Sequence, residues 1–214
     1  MRETRRKATA LVAGLQLMAA AALLAQSPEI DRLFPAQPVG LVNDVAALLD
    51  PSARAEMEDL LTRLRSATGA EVAVVTLPTI GEYDEADVAL EIGRKWGVGA
   101  KAAIGDEQRN AGLVLLLVPR KDHEPGTGHI RIEVGQGLEG IVTDGASGQI
   151  RRDVMGPLLA QEQYGPALQA GVRALTGLIA RGFGVTDSTL ALAPPRTAVR
   201  APSSQFLSLL PLLL

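Results

Sequence analysis

The chain has 214 residues, no cysteine and a formal net charge of −3. That excludes disulfides, thiolate chemistry and zinc–sulfur sites, and it argues against a nucleic-acid binder, which needs a basic patch. Hydrophobic residues make up 47% but aromatics only 3%, so a core of Leu, Val, Ile and Ala is required, enough for one domain of about 150 residues with appendages.

Arg2, Arg5, Arg6 and Lys7 precede the uncharged stretch Ala8–Ala25, with small residues around Ala25 that suit a signal peptidase. A basic start, an apolar run and a small-residue exit predict an export signal over residues 1–26, and hence a periplasmic or otherwise extracytoplasmic domain. The stretch is also long enough for a membrane anchor, although Gly14, Gln16 and its many alanines make it a weak span.

Asp50-Pro51 reads as a helix start, with a capping acceptor followed by proline in the first turn. Met57, Leu60, Leu61 and Leu64 follow at helical spacing, and Gly69 ends the element. Glu71–Leu77 is a short β-branched run closed by Pro78, which predicts a buried strand. Asp84 opens a second helix with Val88, Ile92 and Trp96 on its apolar stripe. Gly112–Val118 is a continuous apolar run, the pattern of a central strand. Turn-forming residues 119–128 lead back into His129–Val134, a strand of alternating pattern, so this pair is a hairpin. Two more helices are predicted, from Asp144 to Met155 and from Pro166 onward, the latter with Leu168, Val172, Leu175 and Ile179 inward.

The order α-β-α-β-β-α-α predicts a three-layer α/β/α sandwich around a small mixed sheet, spanning residues 39–184. Residues 185–214 are rich in Pro, Ala and Ser and end in an apolar stretch broken by Pro211, too short to cross a bilayer. They read as a linker with a short apolar end.

Gly135-Gln136-Gly137-Leu138-Glu139-Gly140 matches the G-x-G-x-x-G pattern of dinucleotide-binding loops. That reading fails here: residues 141–145 separate the third glycine from the next helix, and no parallel strand follows. The loop still offers backbone N–H groups, and carboxylates crowd around it at Glu133, Glu139 and Asp144. Asn43-Asp44 forms a further polar pair before the first helix. Oxygen ligands without Cys suit a hard cation, Ca²⁺ or Mg²⁺, although each residue also has a plainer role as a cap, a turn residue or a solvated loop residue. His123 and His129 flank the hairpin loop and read as loop residues rather than metal ligands.

A resemblance rests on several segments taken in order. These are Val42-Asn43-Asp44, Gly69–Val75, Arg94–Gly99, Arg109–Leu116, and Ile132–Gly140 followed by Thr143-Asp144. In this order they resemble the TPM domain family, which includes YgcG-type bacterial proteins and a plant thylakoid-lumen phosphatase of photosystem II repair. The resemblance implies an α/β/α sandwich outside the cytoplasm, often membrane-tethered. Among its members are acid phosphatases, Ca²⁺ binders and accessory subunits of membrane complexes.

Carried over, the family's acidic cluster falls on Asp44, Glu139 and Asp144, with Asn110 nearby. Arg109-Asn110-Ala111-Gly112 departs from the family pattern by an inserted alanine and an arginine, a change that weakens a metal shell or supplies a phosphate-facing cation.

Two functions fit. In the first, Asp44, Glu139 and Asp144 hold a divalent cation that serves a phosphomonoesterase, with Asp44 and Asp144 at the reaction centre and the amides of Gly135, Gly137 and Gly140 on the phosphate oxygens. In the second, the cation only fixes the loops of a non-catalytic accessory module that docks on a membrane protein complex. The partner is then a membrane complex or a phosphorylated substrate, with no nucleic acid and no dinucleotide. Either way Asp44 and Asp144 are expected to meet across the fold.

Overall fold

The computed structural model describes residues 27–99, 110–186 and 189–190. The predicted export signal and most of the C-terminal linker lie outside these residues, as does Arg109.

A short helix α1 (Ser27–Ile30) leads to strand β1 (Val42–Asp44), helix α2 (Pro51–Thr68) and strand β2 (Glu71–Thr76). Helix α3 (Glu85–Trp96) then precedes the hairpin strands β3 (Gly112–Val118) and β4 (His129–Val134). After β4 the chain forms α4 (Asp144–Gln149), a π-helical segment (Ile150–Met155), α5 (Gly156–Leu159) and α6 (Tyr164–Gly182). The sheet order is β1-β2-β3-β4, with β1, β2 and β3 parallel and β4 antiparallel to β3. This is the expected mixed α/β sandwich.

Odd and even positions of the central strands feed two separate cores, as side-chain alternation along a strand requires. Val72, Val74, Leu113, Leu115 and Leu117 pack with Met57, Leu61 and Leu64 of α2 and with Leu168, Val172, Leu175 and Ile179 of α6. Ala73, Val75, Val114 and Leu116 pack with Val88, Ala89 and Ile92 of α3. Helices α2 and α3 therefore lie on opposite faces, although both crossovers step to the next strand in the same direction. The two crossovers are consequently of opposite hand, where the common hand alone would put both helices on one face.

The capping residues act as their sequence positions suggest. Asp50 accepts the Ala53 N–H at 2.8 Å and the Ser52 hydroxyl at 2.6 Å. The Ser52 hydroxyl first, and the Ala53 N–H second, hold the Asp50 carboxyl below its ordinary value. This cap is complete above the usual carboxylate range and is lost as pH falls through the lowered value.

Three features go beyond the sequence-level picture. Strand β1 was not foreseen. The predicted Asp144–Met155 helix is α-helical only to Gln149 and π-helical beyond it. Packing also extends past residues 39–184. Phe34 is buried and meets Trp96 edge to face at 5.7 Å, while Leu190 is buried in the α2/α6 core.

Candidate functional site

Strand β1 is held from outside the sheet. The Glu58 carboxylate on α2 accepts the N–H groups of Leu41 and Val42, each at 2.8 Å. The buried Asn43 side chain closes the approach by accepting from Val39 N–H and donating to the Gly40 carbonyl.

Asp44 ends β1 and is engaged with its own surroundings. Its Oδ1 accepts the Leu48 N–H at 3.0 Å and the Thr76 hydroxyl at 2.5 Å, and its Oδ2 accepts the Leu49 N–H at 2.9 Å. The carboxylate thus ties the β1–α2 loop to the end of β2. Asp44→Asn presents an NH₂ group to one of these donors and is expected to cost about 1–3 kcal/mol, measured by urea unfolding. A loss below about 0.5 kcal/mol contradicts this structural role.

Glu139 and Asp144 lie elsewhere. Both are exposed and line one cleft of about 440 Å³ with Glu133, Thr143 and the β4 residues Arg131, Ile132 and Val134. Arg131 is paired with Glu133 at 2.6 Å. The Thr143 hydroxyl accepts the Ala146 N–H and caps α4.

The expected meeting of Asp44 with Asp144 does not occur. Asp44 is level with Thr76, which pairs with Leu117, whereas Val134 pairs with Leu113. Four residues along the strands and three strand spacings across put Asp44 about 20 Å from Val134, which lines the cleft that holds Glu139 and Asp144, against ligand–metal distances near 2.4 Å. The reason is strand direction. The hairpin turns the chain back, so the loop after β4 emerges at the end of the sheet where the parallel strands begin, while Asp44 sits where they finish. Among the described residues no group of three or more His, Asp or Glu side chains is gathered closely enough to hold a metal ion. Glu139 and Asp144 still supply exposed hard oxygen donors on one cleft, which fits part of a Ca²⁺ or Mg²⁺ shell completed by water.

The glycine loop also differs from expectation. Gly135 N–H donates to the Gly112 carbonyl at 2.8 Å, and Gly137 N–H to the Asn110 carbonyl at 3.2 Å, so neither amide is left for a phosphate oxygen. Gly135 is required by close approach: a Cβ there would stand 2.5 Å from the Asn110 carbonyl oxygen and 2.9 Å from that of Gly112. A Cβ at Gly140 would meet nothing within 4 Å. Asn110 contributes its backbone carbonyl and lines a second cleft of about 460 Å³, with Gly135, Glu133 and the α3 residues Gly93 and Arg94.

The histidines are held by separate carboxylates, His123 by Glu162 and His129 by Glu85 at 3.2 Å. Sequence reasoning named Glu133 but missed Arg131 as a cleft residue. Its signal was present in the alternation of β4, which puts it on the same face as Glu133.

The TPM domain family matches this chain over residues 42–178, more than half of its length. This chain belongs to the TPM domain family. The solution NMR structure of the N-terminal domain of a P. gingivalis protein is similar to it, at 36% identity and a TM-score of 0.57, covering 67% of this chain and 84% of that one. No curated protein matches it. Within this TPM domain, no described helix is long and apolar enough to cross a membrane.

Proposed function

We propose that this TPM domain is an exported accessory module that takes a hard divalent cation, Ca²⁺ or Mg²⁺, between Glu139 and Asp144 and catalyses no reaction of its own. The observation that carries this reading is how the cleft's polar groups are used. The Gly135 and Gly137 amides of the adjoining loop are spent on backbone carbonyls, the Thr143 hydroxyl on the cleft caps a helix, and among the described residues that line the cleft no nucleophile stands beside a base. What is left free on the cleft is carboxylate oxygen, the ligand type of hard cations. When bound, the cation would offset the mutual repulsion of Glu139 and Asp144 and fix the loop that carries them. Export rests on Arg2, Arg5, Arg6 and Lys7 followed by the uncharged stretch, and the partner is then a membrane protein complex outside the cytoplasm.

A second reading, an acid phosphatase acting on a phosphorylated substrate, draws on Arg131, whose guanidinium lines the same cleft and suits a phosphate. Thermal unfolding with Ca²⁺ or Mg²⁺, set beside phosphomonoesterase turnover with and without EDTA, separates the two. A rise in melting temperature without turnover supports the accessory module. Turnover lost both with EDTA and in Asp144→Asn supports the phosphatase.

A further inference from the structure

The two edges of the sheet are finished differently. At the β1 edge, the N–H of Val42 that points away from β2 is taken by Glu58. At the β4 edge, register fixes which groups point outward. Gly135 N–H bonds to Gly112, so the pairs Val114–Glu133 and Leu116–Arg131 exchange the ladder bonds, and Ile130, Ile132 and Val134 turn their N–H and C=O groups away from β3. Among the described residues, the only partner at this edge is Arg151, whose Nη1 reaches the Ile130 carbonyl at 3.5 Å.

Ile132 and Val134 line the 440 Å³ cleft opposite Glu139, Thr143 and Asp144. An open strand edge is a template for a further strand, and globular proteins commonly blunt such edges with charge or cover. Among the described residues, Glu58 closes the β1 edge and a groove runs along β4, at which Ile132 is 5% exposed and Val134 half-buried. The groove carries three carboxylates, Glu133, Glu139 and Asp144, against the one guanidinium of Arg131.

We propose that β4 accepts an extended segment of a partner protein as a fifth strand, and that the segment carries Lys or Arg at alternate positions. Backbone hydrogen bonds to Ile132 and Val134 supply the attachment, and the alternating basic side chains meet Glu139 and Asp144. Strand addition stands on the backbone of β4 and goes beyond cation binding. A divalent cation and the basic segment compete for the same two carboxylates.

The test uses the full chain and a labelled peptide of alternating lysine and valine, with a glutamate–valine peptide as control. The basic peptide is expected to bind saturably and the acidic one not. Amide exchange at Ile132 and Val134 should slow at least about tenfold on binding. Glu139→Lys, at an exposed position, should weaken binding about tenfold, and Ca²⁺ should compete. Absence of saturable binding, equal binding of the acidic peptide, or binding without protection of those two amides overturns the proposal. A retained thermal response to Ca²⁺ in any of these cases leaves the cation reading standing on its own.

Discussion

Leu115→Ala is expected to lower the free energy of unfolding by about 2–5 kcal/mol. Leu115 is 0% exposed at the centre of β3, paired with Val74 on one side and Ile132 on the other. Its side chain belongs to the core that joins the sheet to α2 and α6. Helices on that side are fixed by the strands they pack on, so the site has little freedom to collapse into the space left. The cost therefore combines lost burial with a residual cavity. Urea unfolding monitored by circular dichroism reads it directly. A loss under about 1 kcal/mol contradicts the central position of β3.

Gly99→Ala is expected to cost about 3–5 kcal/mol, by strain and overpacking together. Gly99 has φ +75°, a conformation that alanine adopts only under strain. A Cβ there would lie 2.2 Å from the Gly112 nitrogen and 2.6 Å from the Ala111 carbonyl carbon. Those are backbone atoms at the start of β3, where Gly112 pairs with Glu71 and bonds to Gly135, so they cannot step aside without opening the sheet. Full-chain melting temperatures compare the variant with its parent. A shift of less than about 2 °C contradicts the close approach.

Strands β2, β3 and β4 were legible because their residues are long apolar or alternating runs with turn signals at both ends. Strand β1 was not, since two of its three residues are Asn43 and Asp44, whose side chains bond locally and read as turn residues. The π-helical segment carries no pattern distinct from a helix, and its register is set by packing. A Cβ at Gly171 of α6, for example, would fall 2.6 Å from the Met155 sulfur. At the site, the closeness of Glu139 and Asp144 was legible because one loop carries both. The position of Asp44 depended on strand direction and on an edge strand that was not seen. Its plainer role, a turn residue satisfied by neighbouring N–H groups, is the one the structure displays.

Titration calorimetry of Ca²⁺ into the full chain, with Glu139→Gln, Asp144→Asn and Asp44→Asn in parallel, tests the assignment of the cation to the β4 cleft. Saturable heat is expected in the parent and in Asp44→Asn, and its loss in Glu139→Gln and Asp144→Asn. Binding abolished by Asp44→Asn but kept by Asp144→Asn, or no saturable heat in the parent, would contradict it.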